Sequence, residues 1–186
     1  MENDPRHLLI NVAEVLRKLE IPYVVTGGMA VLVWGRPRFT ADIDIVIKLE
    51  MKDIKKLAGM LSLLGKFNYI NEEMMKEALE NKGEFNFIHG DTGVKVDFWV
   101  SKERPLDLSQ MNRRVYKSIL NKKVGFMSPE DLILSKLEWY KESRSSRHLE
   151  DIESIFRISG DKLDKKYLNQ WVNKLGLSRF LDKVKK

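Results

Sequence analysis

The chain has 186 residues, 43% hydrophobic and 9% aromatic. That is enough for one domain, or one domain with an appended helical module, burying about 70% of its unfolded surface. The net charge of +6 suits a phosphate-bearing partner, and the lack of cysteine excludes disulfides, thiolate zinc, iron–sulfur clusters and a cysteine nucleophile. The polar start Met1-Glu2-Asn3-Asp4-Pro5 does not read as a signal peptide, and no run of about 18 apolar residues exists. The expectation is a cytoplasmic protein without a membrane partner.

Asp4-Pro5 caps and starts a helix over 5–20, with Leu9, Val12, Leu16 and Leu19 at helical spacing. Tyr23 to Thr26 is a short strand ending at Gly27-Gly28, and Met29 to Trp34 reads as a short helix. Residues 35–40 are a loop. Ala41 to Ile47 alternates, with Ile43, Ile45 and Ile47 on one face and Asp42 and Asp44 on the other. Helices follow over 52–65 and 72–80. Phe85 to His89 and Val94 to Val100 form a hairpin about a Gly90-Asp91-Thr92-Gly93 turn. In its second strand Lys95, Asp97 and Trp99 share a face. Residues 113–120 and 123–127 read as a further hairpin. Ser128-Pro129-Glu130-Asp131 is a strong helix start, and helices follow over 129–142, 146–158, 164–175 and 177–184. Residues 102–123 concentrate seven basic side chains, among them Arg114, Lys122 and Lys123, against two acidic ones. The four tryptophans, Trp34, Trp99, Trp139 and Trp171, read as core residues, with Trp99 also able to line a base pocket. His7, His89 and His148 are too scattered for a metal or base site.

Three pieces carry chemistry. A strand ends in Gly27-Gly28 and enters a helix, a turn that lets backbone amides approach phosphate. Thirteen residues intervene before Asp42-Ile43-Asp44-Ile45, whose carboxylates share a face about 7 Å apart. Asp97 lies on a later strand. If the two strands pair, three carboxylates converge and raise each other's pKa. Divalent cations relieve such crowding, and oxygen-only ligands favour magnesium or manganese. No Walker loop, Rossmann fingerprint, His-Glu-x-x-His or EF-hand loop is present.

Val25-Thr26-Gly27-Gly28 followed by Arg36-Pro37-Arg38-Phe39-Thr40-Ala41-Asp42-Ile43-Asp44-Ile45 resembles the signature of the DNA polymerase beta nucleotidyltransferase superfamily. The Arg-x-x-Thr-x-Asp-x-Asp form is similar to stand-alone prokaryotic members, including the abortive-infection type IV toxins. In the tail, Lys136 and then Arg144-Ser145-Ser146-Arg147-His148-Leu149-Glu150-Asp151 are similar to that group's Lys and Arg-x-x-Lys-Asp-x-x-Asp, with His148 where aspartate is usual. The resemblance covers about residues 22–152.

The resemblance implies a small mixed, twisted α/β (α+β) sheet with flanking helices in residues 1–127. A C-terminal helical bundle in 128–186 packs on it. It implies transfer of a nucleoside monophosphate from an NTP, ATP included, to an acceptor hydroxyl with release of pyrophosphate. Asp42, Asp44 and Asp97 hold two magnesium or manganese ions, and Asp97 helps deprotonate the acceptor. Gly27, Gly28, Arg36, Arg38, Thr40, Lys136, Arg147 and Asp151 contact the nucleotide. The acceptor is open between RNA such as a tRNA end, a small molecule and a protein hydroxyl. An antitoxin-like partner is implied too. The alternative is a catalytically weak nucleotide- or RNA-binding module acting through a partner protein. Lys136 falls inside the apolar arc of Leu132, Ile133, Leu137 and Tyr140, so its alternative is an aliphatic stem covering the core.

Overall fold

The computed structural model describes residues 4–184. Residues 1–3 and 185–186, the outer ends of the two expected segments, lie outside the described residues. Asp4 accepts the Arg6 amide and opens α1 (Pro5–Lys18), whose apolar side includes Leu9, Val12 and Leu16. The helix stops short of the expected residue 20, where Glu20 turns to φ 56°. β1 (Tyr23–Val25) leads into α2 (Gly27–Trp34), and β2 (Asp42–Ile47) follows the loop. The helix expected over 52–65 is a single 3-10 turn (Met51–Asp53) continued by α3 (Ile54–Ser62). Then come α4 (Glu72–Asn81), β3 (Glu84–Ile88) and β4 (Lys95–Val100).

One helix was not legible in the pattern, α5 (Pro105–Asn112). It is too short and weakly amphipathic to show a period, but its start carries a signal: Pro105 in the first turn and Asp107 accepting the Arg104 amide at 3.1 Å. The second hairpin is present as β5 (Val115–Ile119) and β6 (Lys122–Phe126). The tail is helical, α6 (Pro129–Ser143), α7 (Ser146–Ser159), α8 (Lys165–Lys174) and α9 (Ser178–Val184), with a 3-10 turn (Gly160–Lys162) between α7 and α8.

The six strands form one mixed sheet in the order β3-β4-β2-β1-β6-β5. β2 lies antiparallel to β1 and parallel to β4, and the parallel pair is in register from Asp42↔Lys95 to Ile47↔Val100. The alternation read from the sequence holds. Ile43, Ile45, Ile47, Val96, Phe98 and Val100 are buried in the same cluster as Leu9, Leu16, Leu57 and Leu61. Phe85 stacks on Phe98, its register partner, at 5.0 Å between centroids.

The tail is tied to the sheet through α2. Trp34 donates its indole N–H to the Met127 carbonyl at 2.8 Å, and the Ser159 hydroxyl donates to the Trp34 carbonyl at 2.6 Å. A side chain on Gly35 would collide with Ser154 of α7. On the other side Ser128, Asp131 and Tyr167 form a chain of hydrogen bonds, with Tyr167 donating to Asp131 at 2.6 Å and Arg113 stacked 3.8 Å above the Tyr167 ring. Burial pushes the Asp131 carboxyl and the Tyr167 phenol upward. The expectation for the tryptophans holds in part: Trp34 and Trp171 are half-buried and packed against the core, Trp99 is half-buried, and Trp139 is exposed.

Candidate active site

The turn after β1 explains both glycines. Gly27 has φ 59°, a left-handed conformation, and a side chain there would run into the Asp44 carboxylate. A side chain on Gly28 would meet the Thr40 hydroxyl. The glycine turn therefore lies against the Asp-x-Asp strand with no room between them, and the Thr26 amide bonds to the Asp44 carbonyl at 2.9 Å. The Thr26 hydroxyl is turned to the Met127 sulfur at 3.5 Å, so no side chain caps the first turn of α2. Uncapped amides at a helix start suit an anion.

Asp44 and Asp97 are cross-strand neighbours in register, and Asp42 shares their face two residues away. Burial, then the charge of Asp97, pushes the Asp44 carboxyl above the ordinary aspartate value. Asp97 itself is drawn to Lys95, whose ammonium lies 2.9 Å from its carboxylate and is pushed up by that hydrogen bond. Lys95 shares the Asp97 face by strand alternation. Among the described residues no three acidic or histidine side chains are gathered as a ready-made cation site. The three aspartates are thus brought to one face, with Asp97 leaning on Lys95.

A cavity of about 530 Å³ opens beside Asp42 and Asp44; Asp97, on the neighbouring strand, is not among its lining residues. It takes in Gly27, Gly28, Arg38, Thr40, Asp42 and Asp44 from the sheet side, and Lys136, Arg147 and Asp151 from the tail. Arg38 and Asp151 form a bidentate pair, and Lys136 meets the same carboxylate at 2.9 Å. Burial alone would raise Asp151; the hydrogen bonds from Arg38 and the charge of Lys136 outweigh it and hold the carboxyl below its ordinary value. Lys136 is buried as the helical arc implies, yet its ammonium ends in this ion pair and at the cavity wall. Arg147 donates to the Phe39 carbonyl at 3.3 Å. Arg36 is exposed and does not line the cavity.

Trp99 lines the cavity, as the sequence reading allowed, and three further lining residues, Trp139, Phe39 and His148, lay outside the expected set. Trp99 and Trp139 meet edge to face at 5.2 Å and form an aromatic wall. Phe39 is 83% exposed at the cavity while its carbonyl is held by Arg38 and Arg147. His148 lines the cavity with a buried Nδ1 that has no hydrogen-bond partner among the described residues. Burial, then the nearby Lys136 charge, pushes its imidazole below the ordinary value, so it is neutral at pH 7. Its place in the Arg144 to Asp151 motif set this histidine apart in the sequence, but only the tertiary approach of α7 brings it to the cavity.

Solved structures with this fold include three nucleotidyltransferase-like chains. The antibiotic-resistance factor ANT(2'')-Ia is 17% identical, with a TM-score of 0.61 over 98% of this chain and 96% of that chain. The lincosamide antibiotic adenylyltransferase LnuA, lincomycin-bound, is 15% identical, with a TM-score of 0.53 over 83% of this chain and 97% of that chain. An antigenic nucleotidyltransferase-like protein from Paracoccidioides brasiliensis is 20% identical, with a TM-score of 0.53 over 96% and 90%. At these identities the likeness shows the nucleotidyltransferase fold. No curated protein matches the sequence. Residues 12–180 match the family model described as nucleotidyl transferase AbiEii toxin, type IV TA system. That match spans both halves of the site, so the chain belongs to the AbiEii family of toxin nucleotidyltransferases.

Proposed function

We propose that this enzyme transfers a nucleoside monophosphate from an NTP to an acceptor hydroxyl with the aid of magnesium or manganese. The observation that carries the reading is the register of Asp44 beside Asp97, with Asp42 on the same face and the glycine turn packed on Asp44. The oxygen-only donor set, and the burial and then the Asp97 charge that raise Asp44, fit a hard divalent cation. Asp42, Asp44 and Asp97 are the residues that would hold two such ions, with Asp97 exchanging Lys95 for metal. When bound, the ions supply charge neutralisation at the phosphate oxygens.

The chain's own groups do the rest. The uncapped amides at Gly27 and Gly28 face the phosphates, with Thr40 beside them. Lys136, Arg38 and Arg147 supply positive charge around the triphosphate, with Asp151 positioning the first two. Arg36, which does not line the cavity, is left without a part in this reading. The acceptor oxygen bonds to the α-phosphorus, the bond to pyrophosphate breaks, and the hydroxyl proton passes to the Asp97 carboxylate. Residues 1–127 form the catalytic part and 128–186 the helical part that closes the cavity. Among the described residues no helix is long and apolar enough to cross a membrane. We place the reaction in the cytoplasm, where NTPs are abundant, and expect an antitoxin partner from the family.

The Lys95–Asp97 pair favours a second reading, a catalytically weak module that binds nucleotide or RNA. The two separate in one assay. The protein is incubated with α-labelled NTPs, magnesium, and total RNA, small-molecule or protein acceptors. Covalent label that disappears in Asp42→Asn supports the transferase; tight NTP binding with no transfer to any acceptor supports the module.

A further inference from the structure

A second cavity, of about 620 Å³, lies at the other end of the central strands. Tyr23 opens β1 and Lys122 opens β6, and because these strands run parallel both starts lie opposite the Gly27-Gly28 turn. None of its lining side chains touches the catalytic cavity. Its cations are Arg17, Arg114, Lys122 and Lys123, against Glu14 and Glu20. Lys122 is paired with Glu14 at 3.0 Å. Among the described residues Arg114 is held by neutral acceptors only, the Met111 carbonyl at 2.9 Å and the Tyr116 hydroxyl at 3.0 Å, so its guanidinium is oriented without a carboxylate partner there. Lys123 is exposed and makes no ion pair among the described residues. Tyr116, 55% exposed, presents a ring at the cleft. Tyr23 is 8% exposed, and its hydroxyl accepts the Gly125 amide at 3.3 Å, which leaves the phenolic hydrogen to donate. Burial pushes this phenol up, so the hydrogen is retained at neutral pH.

We propose that this cleft binds a nucleotide unit, its phosphate against Arg114, Lys123 and the Tyr23 hydroxyl and its base against the Tyr116 ring. An oriented guanidinium fits a phosphate fork, and an aromatic face accepts any base. The volume suits one nucleotide, and pockets of this size hold small ligands. The nucleotide is either free or one unit of an RNA strand. Glu14 and Glu20 do not oppose it, because Glu14 is committed to Lys122 and a single Glu20 faces the three remaining cations.

The test uses the full chain with EDTA present, so that the catalytic cavity has no metal to engage. Fluorescence anisotropy follows a fluorescein-labelled oligouridylate, with UMP and inorganic phosphate as competitors. Arg114→Gln/Lys123→Glu should weaken RNA binding tenfold or more and flatten the plot of log Kd against log salt by about two. An oligonucleotide bound far more tightly than UMP identifies a strand as the source, and equal binding per nucleotide identifies free nucleotide; both support the cleft. Wild-type binding and slope in the double variant, no binding by wild type at low salt, or inorganic phosphate competing as well as UMP would overturn it. If loss of the Arg114 contact to Met111 unfolds the double variant, Lys123→Glu alone should weaken binding at least threefold and flatten the slope by about one. No change in that variant overturns the proposal equally.

Discussion

Arg38 and Asp151 are 113 residues apart in the chain and meet in a bidentate pair, 2.7 Å and 2.9 Å, that joins the loop before β2 to α7. Lys136 of α6 closes on the same carboxylate. Two cations therefore depend on one buried anion at the seam between sheet and tail.

Asp151→Asn should be the most destabilising polar substitution in this seam, by about 3–5 kcal/mol, because it leaves Lys136 and Arg38 facing each other without a counter-charge. Urea denaturation at pH 7 measures it. The sign with pH follows from the lowered carboxyl. Its contribution is complete above the ordinary aspartate value of about 3.9 and is lost as pH falls through the lower folded value. The wild-type advantage over Asp151→Asn should therefore shrink on acidification; an advantage that grows there would contradict the assignment.

Lys136→Met keeps the stem among Leu132, Ile133 and Leu137 and leaves Asp151 paired with Arg38. It should weaken NTP binding by about tenfold, a charge-assisted contact of about 1.5–3 kcal/mol. The fold should lose less than in Asp151→Asn. Calorimetric NTP titration beside thermal melting reads both, and unchanged NTP affinity with a large drop in melting temperature would return Lys136 to a purely structural role.

Gly27→Ala meets two penalties at once. The backbone is left-handed there, and the new methyl enters the space of the Asp44 carboxylate. Strain of about 1–3 kcal/mol is expected before any displacement of Asp44. The melting temperature should fall and label transfer should be lost together. An active and fully stable Gly27→Ala would show that the turn and the strand are not packed as described.

Asp97 and Lys95 separate binding from chemistry. Asp97→Asn should leave NTP affinity within a few-fold and lower transfer about a hundredfold or more, the range for losing a general base. Lys95→Met removes a cation beside the carboxylates, so manganese should bind more tightly in that variant, read by calorimetry without NTP. Weaker manganese binding in Lys95→Met would show that Asp97 does not take part in the metal site.

The sequence by itself determined the alternation of β2 and β4, the glycine turn, the four tail helices and the family. Each of these is local: a period of two, a period of 3.6, a cap, or a motif of fixed spacing. Only the tertiary structure decided who meets whom. That β2 and β4 are parallel neighbours in register, so that Asp44 stands beside Asp97, depends on a crossover through α3, α4 and β3 that no local pattern records. The commitment of Arg38 and Lys136 to Asp151, rather than to open solvent, depends on α7 packing against α2 and α6. The reason is the same in both cases: a charge is placed by whichever opposite charge burial brings near it, and sequence spacing says nothing about partners more than a few residues away.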